Sequence, residues 1–165
     1  MTDAAKPALY VPALRPLYEG LAGLAYPLLR VTCGALLIPH GWLKLVNGTV
    51  TGTAGFMGNV LKFPIPNVLA YYIGILELVG GVLLVLGLFT RVVAIQVVAF
   101  MGVAAFVVHS QVGWWWNAYK VVSPNPLRIF PGGMELPLLW MLVALVILIR
   151  GGGNYSLDKS MGREF

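Results

Sequence analysis

Four long apolar stretches, nearly free of charge, fill this chain between Leu17 and Ile149. A membrane-crossing helix needs roughly 20 such residues. In lipid every backbone polar group must be satisfied internally, which restricts spanning structures to helices and closed barrels. Stretches of this length read as helices. Composition agrees: 59% of residues are hydrophobic and 10% charged, where a soluble domain carries about 25% charged residues. A chain of 165 residues could not hide so much apolar surface in its own core. The expectation is an all-α integral membrane four-helix bundle.

The expected spans run about Leu17–Leu43, Asn67–Phe89, Val92–Val112 and Glu135–Ile149. Residues 1–16 hold Pro7, Pro12 and Pro16 and read as an extended leader. The transmembrane domain then covers residues 17–150 and a polar tail covers 151–165. Glu19, Pro27 and Arg30 interrupt the first apolar run, and no A-x-A site follows a short apolar core, which argues against a cleaved signal peptide. The glycine-rich stretch Val46–Pro66 reads as a connection, as does Gly113–Gly133 with its Trp114-Trp115-Trp116 run.

Four spans put both termini on one side. That side carries Lys6, Arg15, Arg91, Arg150, Lys159 and Arg163; the loop side carries Lys44, Lys62, Lys120 and Arg128. Six against four favours cytoplasmic termini. The tryptophan run then sits at the outer interface, as an anchor or as a surface for docking a partner. The net charge of +5 comes from scattered basic residues with no stripe, so nucleic acid is not a partner. The partners expected are the lipid bilayer and other subunits or further copies of the chain. The one cysteine, Cys33, excludes an internal disulfide relay.

Ionisable residues inside a membrane are costly and are functional candidates by default. Arg30 lies ten residues before His40, and Glu77 ten residues after Asn67. At 1.5 Å per residue both stand about 15 Å below the loop side, which predicts an Arg30–Glu77 ion pair in the core. Ala70, Gly74, Glu77 and Gly81 share one helical face, as do Arg30, Gly34, Leu37, Gly41 and Lys44. Small residues there permit close helix approach. His40, Lys44, His109 and Glu135 form a second polar layer at the outer rim. Histidine can exchange protons near neutral pH, but the spacing gives no metal motif. A flat apolar cleft near this rim, lined by aromatics such as Trp140, would suit a quinone head group.

Several of these residues carry a family resemblance. Leu29-Arg30, Gly34 and His40-Gly41-Trp42-Leu43-Lys44-Leu45 resemble the first helix of the DoxX family. Leu76-Glu77-Leu78-Val79-Gly80-Gly81 is similar to its second helix, and Leu86-Gly87-Leu88-Phe89-Thr90-Arg91 to the entry of its third. His109, Glu135 and the tail Tyr155-Ser156-Leu157-Asp158 match later positions. The resemblance implies a small bacterial inner-membrane protein with four helices, associated with redox chemistry. It points to Arg30, His40, Lys44, Glu77, His109 and Glu135. Two functions of different class follow: a quinone-linked redox subunit, or a structural subunit of a larger membrane complex. A small-molecule transporter is the third. No electron-carrying motif is visible in the chain, so it has no self-contained catalytic motif.

Overall fold

The computed structural model describes residues 8–124 and 127–164; residues 1–7 of the expected leader lie outside them. The chain is helical, as its hydropathy requires. Helix α1 covers Arg15–Leu45, α2 Val50–Asn59, α3 Pro66–Leu86 and α4 Thr90–Gln111. A hairpin follows, β1 Tyr119–Pro124 paired antiparallel with β2 Leu127–Pro131. Helix α5 covers Glu135–Arg150 and the short α6 Leu157–Ser160.

Three helices among the described residues are long and apolar enough to cross a membrane: the one ending at Leu45, α3 and α4. The fourth expected span, α5, has 16 residues and is about 24 Å long, short of a full crossing. Its length and apolarity do not by themselves make it a fourth span. It packs against α4 through Ala144 and Ile147, which are fully buried with Val93, Ala94 and Val97.

Two elements depart from expectation. The Val46–Pro66 connection contains α2, whose Val50, Ala54 and Met57 pack on Ala70 and Ile73 of α3. Its glycines masked an amphipathic repeat of only ten residues. At the other end, helix begins at Arg15, after a 3-10 turn at Pro12–Leu14. Pro16 sits in the first turn of α1, where a missing N–H costs nothing.

Helices α1 and α3 lie in backbone contact. A Cβ on Gly41 would stand 2.7 Å from Leu78 Cα, and one on Gly81 would stand 2.8 Å from the Gly34 carbonyl oxygen. A Cβ on Gly74 would stand 2.8 Å from the Leu45 side chain. These contacts fix the antiparallel register of the pair: 45 beside 74, 41 beside 78, 34 beside 81.

The tail is folded, not loose. Arg30, 1% exposed, donates from Nη1 to the Gly152 carbonyl (2.6 Å) and from Nη2 to the Tyr155 carbonyl (2.8 Å). Tyr26 donates to the Gly151 carbonyl. Asp158 accepts from the Phe89 and Thr90 amides, both at 2.9 Å, and so caps the start of α4. Gly87 holds φ +66 in that turn, and a Cβ there would collide with the Arg30 guanidinium. Asp158→Ala should therefore lower stability by about 1–2 kcal/mol, the scale of a lost helix cap. Thermal unfolding in detergent would read this as a lower Tm, and an unchanged Tm would mean that the tail latch formed by Asp158 does not hold the start of α4.

Candidate functional site

Glu77 is 4% exposed and lies in a π-helical segment, Leu76–Gly80, within α3. π segments are rare and frequently mark functional sites. Its Oε2 accepts from Lys44 Nζ at 2.6 Å, and the Lys44 side chain is itself only 18% exposed. The predicted Arg30–Glu77 pair is not formed: Arg30 spends its guanidinium on the tail carbonyls. The reason is register. Depth reckoned from His40 and Asn67 assumes that both mark the loop-side end. Helix α1 in fact continues to Leu45, and α3 begins two turns beyond it, beside α2. Glu77 is thereby level with Lys44, and Arg30 with Gly87. The face assignment does hold: Arg30, Gly34, Leu37 and Gly41 are buried, as are Ala70, Gly74, Glu77 and Gly81.

Beside this ion pair lies a cleft of about 480 Å³ between α2, α3 and α4. Its walls are apolar, with Phe56, Phe63, Ile73 and Phe100 prominent. Its polar groups are few: Lys44, His109, Tyr72 and Gln96. Ligand pockets for small apolar molecules have this make-up and size. Lys44 stands between the cleft and Glu77. Tyr72 donates to Gln96 Oε1 at 2.8 Å, and Gln96 Nε2 donates to the Val92 carbonyl. The sequence signal for Gln96 is a lone amide in an otherwise apolar run. A second π segment, Ala104–Val108, gives the cleft Ala104 and Val108 and leads directly into His109.

His109 Nδ1 lies 2.6 Å from the Gly132 carbonyl. A carbonyl only accepts, so Nδ1 carries the proton, and in the neutral ring Nε2 is the acceptor nitrogen. The rim residues thus separate. Lys44 and His109 share the cleft. His40 is exposed and lies within electrostatic range of Glu77. Glu135 belongs elsewhere: its Oε2 accepts from the Trp116 amide at 3.2 Å, while its own amide donates to the Trp114 carbonyl. With Met134 N donating to Gly113 O, this ties the tryptophan turn onto the start of α5. Trp114, Trp115 and Trp116 point outward, 48%, 66% and 61% exposed. Trp140 lies on the opposite side, against α1. Among the described residues no cluster of three or more His, Cys, Asp and Glu is placed to hold a metal ion.

The DoxX family model matches residues 25–110, which hold Arg30, His40, Lys44, Glu77 and His109. The chain belongs to the DoxX family. It is 30% identical over 140 residues to an uncharacterised protein of Haemophilus influenzae, covering 82% of this chain and 90% of that one. It is 30% identical over 131 residues to the Bacillus subtilis protein named "Putative oxidoreductase CatD", covering 79% and 82%. It is 25% identical over 136 residues to "Inner membrane protein YqjF" of Escherichia coli, covering 82% and 91%. No solved structure matches the chain. This DoxX protein is a membrane protein with a buried ion pair beside an apolar cleft.

The register makes a measurable distinction. Lys44→Met should leave a buried carboxylate unpaired and cost about 3–5 kcal/mol, much of it recovered in Lys44→Met/Glu77→Leu. A double-mutant cycle on Arg30 and Glu77 should give coupling near zero. Strong Arg30–Glu77 coupling would reverse the assignment.

Proposed function

We propose that this protein is a quinone-linked subunit of a membrane redox system in the bacterial inner membrane, with its termini in the cytoplasm. The observation that carries this reading is the Lys44–Glu77 pair at the wall of an apolar cleft whose other polar groups are His109, Tyr72 and Gln96. A flat ring with two carbonyl oxygens fits such a lining. Bound quinone would supply the electron-accepting chemistry, taking up two electrons and two protons to become the quinol. Lys44 Nζ has three donors and gives one to Glu77; another can hold a ring carbonyl. Glu77 balances the lysine charge, so a neutral ligand enters a neutral site. His109, fixed by Gly132, can pass a proton through Nε2. Electrons reach the site from a partner subunit or a bound cofactor. A relative's name, "Putative oxidoreductase CatD", is consistent with this class of chemistry.

Purified wild-type protein should bind a short-chain ubiquinone analogue, read by quenching of tryptophan fluorescence. His109→Ala should bind it more weakly, by about tenfold for the loss of one buried hydrogen bond, and Glu77→Gln should also bind it more weakly because the Lys44 charge is then unbalanced; both should still insert in the membrane. Equal binding by wild type and both variants would end the quinone reading.

A second reading, a docking role for the outer loop, is favoured by the three exposed tryptophans. Their backbone groups hold the start of α5, so the indoles are left for lipid or a partner. Replacing Trp114, Trp115 and Trp116 by serine should release proteins that co-purify in mild detergent. Retention of the same set of proteins would leave the indoles as membrane anchors alone.

A further inference from the structure

The cleft has a polar pole on α4 as well as the one at Lys44. A Cβ on Gly80 would stand 3.1 Å from the Val93 side chain, so these residues lie side by side on α3 and α4. The two helices run in opposite directions. Three residues further toward the loop end stand Glu77 on α3 and Gln96 on α4. Gln96 is thus level with Glu77 and with its partner Lys44. Lys44, Tyr72 and Gln96 all line the cleft.

The hydrogen bonds at this pole have one polarity. The Val92 carbonyl only accepts, so the Gln96 group that meets it at 2.8 Å is Nε2, and Oε1 faces Tyr72. Oε1 only accepts, so the Tyr72 hydroxyl gives its hydrogen to Gln96, also at 2.8 Å. What remains follows by counting. Gln96 Nε2 keeps one N–H, a donor. Tyr72 Oη keeps lone pairs but has no further hydrogen to give, so it is an acceptor. A donor and an acceptor therefore stand side by side here, whereas Lys44 brings donors alone.

We infer that Tyr72 is the residue by which this site tells quinol from quinone, with Gln96 as its positioning residue. The inference rests on the quinone reading of the cleft. A quinone carbonyl can take the Gln96 N–H and has nothing to offer Tyr72 Oη. A quinol hydroxyl takes the same N–H through its oxygen and gives its own hydrogen to Tyr72 Oη. This pole thus gains a hydrogen bond when the ligand is reduced. Lys44 can donate to a ring oxygen in either state. Gln96 creates the distinction, because it holds the hydrogen that Tyr72 could otherwise donate to a carbonyl.

The test is calorimetric titration of the full chain in mild detergent, under argon, with decylubiquinone and with decylubiquinol. Tyr72→Phe should weaken quinol binding by about fivefold, the worth of one net hydrogen bond, and leave quinone binding within about twofold. Gln96→Leu should free the Tyr72 hydroxyl to donate to either form, so Tyr72→Phe in that background should weaken both ligands alike. In the otherwise wild-type chain, a Tyr72→Phe effect equal on both ligands, or absent from both, would overturn the inference and leave the quinone reading standing. A folding or packing defect cannot follow the oxidation state of the ligand. Failure of the wild type to bind either ligand would overturn the inference and the quinone reading together.

Discussion

The contact between α1 and α3 at Gly34, Gly41 and Gly81 governs the rest of the molecule. Between apolar helices in lipid there is no hydrophobic force to select a register, because lipid tails are as apolar as leucine. Selection falls to shape. Where a Cβ would overlap backbone, sliding by one turn would drive a larger side chain into the space a glycine now leaves. Once that register is set, each polar group has a fixed neighbour. Lys44 meets Glu77, and Arg30 meets the tail.

The polar interior is thereby divided between two ends with different chemistry. At the terminal end Arg30, Asp158 and Glu164 are consumed by backbone groups and by Arg91. Such an arrangement satisfies buried amides and carbonyls and holds helix ends in place. At the loop end the charged pair borders open space, with an imidazole and an amide on the same cleft. The first end is fastened; the second retains donors and acceptors facing a space that a ligand can fill.

Much of this was legible in the chain. Long apolar runs force helices, and the periodicity of Gly34, Gly41, Gly74 and Gly81 correctly selects the buried faces. Lys44 and Glu77 are visible as candidates because charge in a membrane is costly. Their pairing was not legible, since it depends on how far α3 extends past α1, and that depends on α2. A ten-residue helix rich in glycine and threonine gives too weak a repeat to announce itself. The tail latch was hidden for another reason. Asp158 sits in a stretch that looks solvated, and only the fold brings its carboxylate to the amides of Phe89 and Thr90.

The π segment at Leu76–Gly80 has a bearing on helical phase. A π turn holds one residue more than an α turn, so the ten residues before it are rotated by about 100° relative to an uninterrupted α-helix. Residues 66–75, which bring Tyr72 and Ile73 to the cleft and Gly74 against Leu45, thus take a different angle from residues 81–86, whose Gly81 meets Gly34. The helix acts as two segments with separate bearings joined at Glu77. Loss of one residue from the joint would leave the contact at Gly81 in place, but would turn Gly74 off Leu45 and the cleft wall toward lipid.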